Sequence, residues 1–352
     1  MRKLFLTDKE IKENLFPFSL VRSVADIRIG ILTIREKWEA YLGQEISSLT
    51  DKETLPDHSI IFAGNIVPSK EFIASLEMED KKKPVSPNYD LVKIIQYPWH
   101  IFKWNDWAIR NDFELLTSKR KSLQIPAGVQ ASNPSQIFIE AGAVLSYCTL
   151  NAHTGPIYIG KNAEIMEGAV IRGPFALCEG STVKMGTKIY GATTIGPYSV
   201  VGGEIKNSVI FGYSNKAHDG YLGDAVIGEW CNLGAGTSNS NLKNTASDIK
   251  VWNPFSKEYI AAGLKCGLLM GDYSRCAINT SFNTGTVVGI CSNIVGEGLT
   301  PKYIPSFTWG TKGFSKYEFE KALTNINNWK KLKNLEVTEE EIQHLKHIFE
   351  QS

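Results

Sequence analysis

Residues 159–202 read IGKNAEIMEGAVIRGPFALCEGSTVKMGTKIYGATTIGPYSVVG, and this stretch decides the fold. Every sixth position in it is apolar: Ile159, Ile165, Ile171, Leu177, Val183, Ile189, Ile195 and Val201. Small residues follow at Gly160, Gly196 and Gly202. An amphipathic helix repeats at about 3.6 residues and a half-buried strand at about 2, so neither produces this series. Six-residue self-similarity belongs to a parallel β-helix, whose short strands stack coil on coil. One apolar side chain per hexad then points into the prism, and a small residue admits the tight corner beside it.

The register returns further on. Met270, Cys276, Phe282, Val288 and Ile294 form a second frame, with Ile227 and Leu233 as a short one between. Residues 203–226 and 236–262 break it. Solenoids carry insertions as loops on one face, often the binding face, so function is sought in these two interruptions.

Composition bounds the rest. A chain of 352 residues exceeds one typical domain, which predicts two. With 38 basic against 37 acidic side chains, a general nucleic-acid surface is not expected. The six cysteines (148, 178, 231, 266, 276 and 291) all fall in the repeat region without a C-x-x-C pair. They read as buried small hydrophobes in a reducing cytosol, not as a metal site. The first residues run into charge too soon for a signal peptide, and no apolar run approaches membrane-spanning length, so a cytoplasmic protein without a membrane partner is expected.

Residues 1–125 read as a short α/β domain. Strands are predicted at 3–6 and 59–63, a helix after Gly30 through Ile31, Ile34, Trp38 and Leu42, and an aromatic-rich helix after Tyr97. The charged segment 77–88 reads as a solvated loop. The β-helix is expected over 126–305, after a junction at Pro126 to Ser135, and a helical tail over 306–352. Capping boxes are predicted for Ser315 with Glu318 and Thr338 with Glu341, and the tail is read as a cap on the solenoid end.

The first interruption places Lys206, His218 and Tyr221 beside the coils, with Asn232 just after. A neutral histidine takes a proton near pH 7 and suits a general base. Lysine holds phosphate as a point charge, and asparagine offers both a donor and an acceptor to a sugar. A hydrogen-bonded structural role for His218 is equally open on these grounds. His153 is a weaker candidate.

At these residues the chain resembles a known family. Lys206, then Asn215-Lys-Ala-His-Asp-Gly-Tyr-Leu-Gly-Asp-Ala, then Cys231-Asn-Leu-Gly-Ala-Gly-Thr, is similar to the acetyltransferase domain of bifunctional UDP-N-acetylglucosamine pyrophosphorylase/glucosamine-1-phosphate acetyltransferases. The family pattern is K-A-G-H-x-x-Y-L-G-D followed by N-I-G-A-G-T. The chain as a whole looks like a divergent bacterial branch of GlmU-like or sugar-phosphate nucleotidyltransferase proteins. The resemblance implies a left-handed β-helix, an exception to the right-handed crossover rule, and a homotrimer with active sites between neighbouring prisms. It implies acetyl transfer from acetyl-CoA to the amine of a hexosamine 1-phosphate, in sugar-nucleotide synthesis. His218 matches the general base, Lys206, Tyr221 and Asn232 the sugar-phosphate positions, and Ala235 and Asn241 positions that touch acetyl-CoA. The family's basic residue one eighteen-residue coil before the substrate lysine falls at Lys188, if the coil is unbroken. Leu242 stands where the family has tyrosine, Ile278 where it has the acetyl-CoA serine, and its C-terminal arginine has no match.

The N-terminal part departs further. The family's nucleotidyltransferase opens with a strand and a G-x-G-T-R loop that cradles phosphates through backbone amides. Here no glycine precedes Gly30. Arg22, Arg28, Arg35 and Lys37 are candidates for holding phosphate, although a solvated helix face is the plainer reading. Two alternatives to acetyl transfer stand. One is a sugar-1-phosphate nucleotidyltransferase, uridylyl- or thymidylyl-, for which Mg2+ enters only if this domain is active, with Asp26 as a guessed ligand. The other is a non-catalytic trimeric scaffold that binds sugar nucleotides.

Overall fold

The structure, a computed structural model, describes residues 3–49, 59–78, 88–311 and 315–352. His58 and residues 79–87 of the charged segment lie outside the described residues; its start belongs to the helix Lys70–Met78. The hexads fold as expected into a parallel β-helix of three sheets. One sheet has nine strands from Ile137–Ile139 to Tyr303–Ile304, a second has ten from Val144–Leu145 to Ser315–Lys316, and a third has six from Gln130–Ser132 to Tyr221–Gly223. Every residue of the first hexad series is at most 1% exposed, which fixes its inward direction. Burying one such side chain stabilises by about 1.5–3 kcal/mol. The stack is tight enough that a Cβ on Gly202 would stand 2.6 Å from the Ala217 carbonyl oxygen.

The two interruptions differ from the expectation in opposite ways. Residues 203–226 do not loop out: they contribute strands to all three sheets. What changes is coil length. Val183 pairs with Val201 eighteen residues on, but Val201 pairs with Lys216 only fifteen residues on. The second interruption does leave the prism, after Ser238–Asn239 has paired with Ser281–Phe282, as an antiparallel hairpin of Ile249–Asn253 and Glu258–Gly263. That hairpin packs Ile249, Val251 and Ala262 into the N-terminal core, where Lys103 Nζ donates to the Ala262 carbonyl at 2.6 Å.

The α/β layer forms as predicted. Its sheet is parallel, with Leu4–Thr7 between Ser47–Leu49 and Ile60–Ala63. The helix Ile34–Leu42 starts at a Thr33–Glu36 capping box, and Asn105–Thr117 follows the short helix His100–Lys103. The layer lies on the nine-stranded sheet, whose outward residues are apolar for this purpose: Phe138, Tyr158 and Ala176 cluster with Ile31 and Ile109, and Phe18 meets Phe211 at 5.4 Å. Asn105 fastens the joint, since its Oδ1 accepts from Gly30 N at 2.7 Å while its Nδ2 donates to the Ala192 carbonyl at 3.0 Å.

The tail corrects one expectation. Ser315–Lys316 is a strand paired antiparallel to Thr308–Trp309, so the helix begins at Phe319 and the Ser315–Glu318 box does not form. Pairing with the open sheet edge outcompetes one helix cap because it satisfies backbone groups that would otherwise be exposed. The second box, Thr338 with Glu341, is made. The two helices, Phe319–Lys331 and Glu339–Gln351, lie along the side of the prism more than on its end, packing with Trp230, Tyr273, Cys291 and Phe307. Among the described residues no helix is long and apolar enough to cross a membrane.

Candidate functional site

The N-terminal layer takes the nine-stranded sheet, and the tail packs where the nine- and ten-stranded sheets meet. The six-stranded sheet keeps a polar outer surface. Two rows run across it by register: Lys188, Glu204, Tyr221 and, beside it, Tyr190, Lys206, Gly223. Alternation around the inward Ile189, Ile205 and Leu222 sends both rows outward.

His218 lies at the turn between Asn215–Lys216 of the ten-stranded sheet and Tyr221–Gly223 of the six-stranded one, and it is exposed. A cleft of about 290 Å³ opens beside it, lined by Lys188, Glu204, Asp219 and Tyr221 with Gly203 and Gly220. The Tyr221 ring folds back over Gly223, where a Cβ would stand 2.2 Å from the phenol oxygen. Only glycine leaves room for that pose. The phenol oxygen accepts from Asn241 Nδ2 at 3.1 Å, and Asp224 holds the same Nδ2 at 2.5 Å and Asn207 Nδ2 at 2.7 Å. Burial and the Asp224 charge raise the phenol above its usual pKa, so Tyr221 stays a neutral donor. Glu204 accepts from Tyr190 OH at 2.6 Å and pushes that phenol up to about 12.

The expected residues are brought together in part. Lys188 and Tyr221 share the cleft, and Lys206 Nζ lies 5.8 Å over the Tyr190 ring on the same face. Lys188 is not one coil before Lys206: the coil is two residues short, so Lys188 pairs with Glu204, and Lys206 pairs with Tyr190. Asn232 projects from the ten-stranded sheet, paired with Asn215 and Arg275, on the other side of the edge that carries His218. Ala235 follows His218 along that edge, since Gly236 N donates to the Asp219 carbonyl at 3.0 Å, and Ile278, 69% exposed, comes next. Asn241 sits at the far side of the six-stranded face, tied to Tyr221 and Asp224. His153 stands on an early coil, next to Thr154, whose carbonyl accepts from Arg110.

Sequence reasoning missed Glu204, Asp219 and the buried Lys216. The alternation Glu204-Ile205-Lys206 contained a signal for Glu204, because both flanks of an inward residue face outward.

The N-terminal cations are spoken for. Arg22 bridges Asp272 at 2.8 Å and Glu229 at 3.2 Å, Arg35 binds Asp26 at 2.6 Å, and Arg28 caps the Ile31 carbonyl. Lys37 is 1% exposed and paired with Asp112, so neither a phosphate site nor a solvated face describes it. Asp8, at the carboxyl end of the central strand, accepts from Val24 N and Ser23 Oγ at 3.0 and 3.1 Å. A parallel sheet binds its ligands outside those strand ends, and here a carboxylate of the chain itself takes the amide. Among the described residues no three His, Cys, Asp or Glu side chains converge as metal ligands, and Asp26 is engaged by Arg35. All six cysteines are free and buried, and burial pushes the Cys148 and Cys178 thiols up to about 11.

Residues 4–85 and 54–121 match a family model described as sugar nucleotidyl transferase. The chain is 27% identical over 280 residues to a bifunctional sugar-1-phosphate nucleotidylyltransferase/acetyltransferase of Sulfurisphaera tokodaii, covering 71% of this chain and 61% of that one. It is 34% identical over 137 residues to the bifunctional protein GlmU of Methanocaldococcus jannaschii, covering 39% and 31%. Among solved structures, the Francisella novicida UDP-N-acetylglucosamine acyltransferase is similar at 15% identity and a TM-score of 0.29, over 64% of this chain and 76% of that one. The chain is thus similar, at low identity, to GlmU-like transferases. It spans under two thirds of the length of these first two relatives.

Proposed function

We propose that the chain is an acetyltransferase that moves acetyl from acetyl-CoA to the amine of a hexosamine 1-phosphate of the glucosamine-1-phosphate type. The observation that carries this reading is the cleft at the His218 turn, with Lys188 and Tyr221 converging on the polar face of the six-stranded sheet. The acetyltransferase half of the Sulfurisphaera tokodaii relative's name supports it.

The amine nitrogen attacks the thioester carbonyl while His218 takes its proton. A C–N bond forms, the carbonyl oxygen gains charge that backbone N–H groups can hold, and the C–S bond then breaks. The CoA thiolate leaves and recovers a proton from the imidazolium. Lys206 and Lys188 hold the phosphate so that the amine is presented in line, Tyr221 and Asn232 bind the sugar, and Ala235 and Asn241 face acetyl-CoA. Asn232 lies across the edge from Tyr221, which suits a site completed between prisms of a homotrimer.

Thiol release from acetyl-CoA with glucosamine 1-phosphate tests the reading. Release that falls about a hundredfold or more in His218→Ala is the expected result; no release from the parent with this or any other amino-sugar phosphate sinks it. The match of residues 4–121 to a sugar nucleotidyl transferase favours a second reading, nucleotidyl transfer by the N-terminal layer. Pyrophosphate release from a nucleoside triphosphate would establish that one, against the engaged Asp8, Arg22 and Arg35.

A further inference from the structure

The inward ladder of the ten-stranded sheet runs through Leu145, Ile165, Val183 and Val201, and resumes at Leu233, Cys276 and Ile294. Between Val201 and Leu233 the inward residue is Lys216, 2% exposed. An apolar side chain would fill that position without stripping an ammonium of water. The lysine has specific partners instead: its Nζ donates to the Gly202 carbonyl at 3.1 Å and to the His218 carbonyl at 2.6 Å. Those two carbonyls belong to the coil corner before His218 and to His218 itself. The coil is three residues short here, and it is this short coil that brings a lysine to the inward position. An unpaired carbonyl inside the prism would be costly, and the ammonium satisfies two at once.

We propose that Lys216 is a positioning residue for His218: clamped between two corner carbonyls, its ammonium fixes the backbone of the turn that carries the imidazole beside the cleft. This rests on the acetyl-transfer reading. The groups facing the ammonium are Asp219 on its own turn and the Cys276 thiol from a later coil, both of which favour its charge. Burial outweighs them and pushes Lys216 down to about 8. Its proton is therefore lost within a mildly alkaline range, and a neutral amine makes the weaker hydrogen bonds. The turn then loosens as the pH rises, although the acceptor amine becomes more reactive over the same range.

The test uses the full chain with 13C-labelled histidine, His218 being assigned by His218→Gln. The His218 imidazole signal is expected to shift near pH 8, where Lys216 loses its proton, and that change is expected to vanish in Lys216→Met. Turnover of acetyl-CoA with glucosamine 1-phosphate should fall about tenfold in kcat in Lys216→Met, because a small misplacement of a reacting group is enough for that. KM for the sugar phosphate should stay within about twofold, and Lys216→Arg should recover activity, since only the charge-assisted contact is at stake. Absence of any Lys216-linked change in the His218 signal of the parent overturns the proposal, whether or not the methionine variant folds. Absence of thiol release from the parent would sink the acetyl-transfer reading instead, and the Lys216-linked change in the imidazole signal would still decide whether Lys216 governs that turn.

Discussion

The nine-stranded and six-stranded sheets share one backbone pattern and one buried core, yet their outer surfaces are opposite. Outward from the nine-stranded sheet stand Phe138, Tyr158, Ala176 and Val209, all under the N-terminal layer. Outward from the six-stranded sheet stand Lys188, Glu204, Tyr221, Tyr190 and Lys206. Inward residues hold the prism together in both, so they say nothing about which face acts. The outward alternate residue decides that. Apolar outward rows recruit a second layer, whereas charged rows with a cleft at their edge keep a surface free for a ligand.

That contrast is open to attack from each side. The largest expected effect belongs to the covered side. Asp112→Ala leaves Lys37 buried without its carboxylate and should lower unfolding stability by about 3–5 kcal/mol in urea titration. A loss below about 1 kcal/mol would mean that water reaches the pair and that the layer is loosely seated. His218→Ala should do the reverse, leaving the urea midpoint unchanged because the side chain is exposed. It should still lower thiol release by about a hundredfold, equivalent to about 2.7 kcal/mol of barrier. Equal loss of stability and activity would make His218 a structural residue.

Lys206→Gln sharpens the open side further. KM for the sugar phosphate should rise about tenfold with little change in kcat, as expected for one charge-assisted hydrogen bond. A fall in kcat alone would move Lys206 from the phosphate to the reacting centre. The smallest effect is on pH-dependent stability. Lys216 sits below its unfolded value of 10.5, at about 8, so between those values the unfolded chain binds the extra proton. The penalty of the buried ammonium is fully present below pH 8 and fades as the pH rises toward 10.5. The parent should therefore gain stability relative to Lys216→Met between pH 7 and pH 10. No relative gain would mean that Lys216 remains charged in the fold throughout this range.

The hexad series was enough to define the prism, because each apolar residue at a six-residue spacing has only the interior to enter. The α/β layer, the Thr33 and Thr338 caps in the folded helices, and the burial of all six cysteines follow from equally local rules, though only the second of those caps was anticipated. The candidate site was legible where a motif carried it, as in the choice of His218 and Tyr221 as candidates. It was not legible where coil length mattered. A count of eighteen from Lys206 lands on Lys188, but hydrogen-bond register places Tyr190 there, since the coil sheds residues that no spacing rule reveals. The same shortening put Lys216 into an inward position outside the hexad frame.

By itself the sequence determined the repeat, its inward face and the turn that carries the histidine, all consequences of side-chain chemistry at fixed local spacing. Only the tertiary structure decided which face is covered, where Arg22, Arg35 and Lys37 find their carboxylates, and that the hairpin 249–263 seals the N-terminal layer. Those outcomes depend on contacts between residues hundreds of positions apart, such as Arg22 with Asp272, and each forms only once burial makes an unpaired charge more costly than the joining of two distant segments.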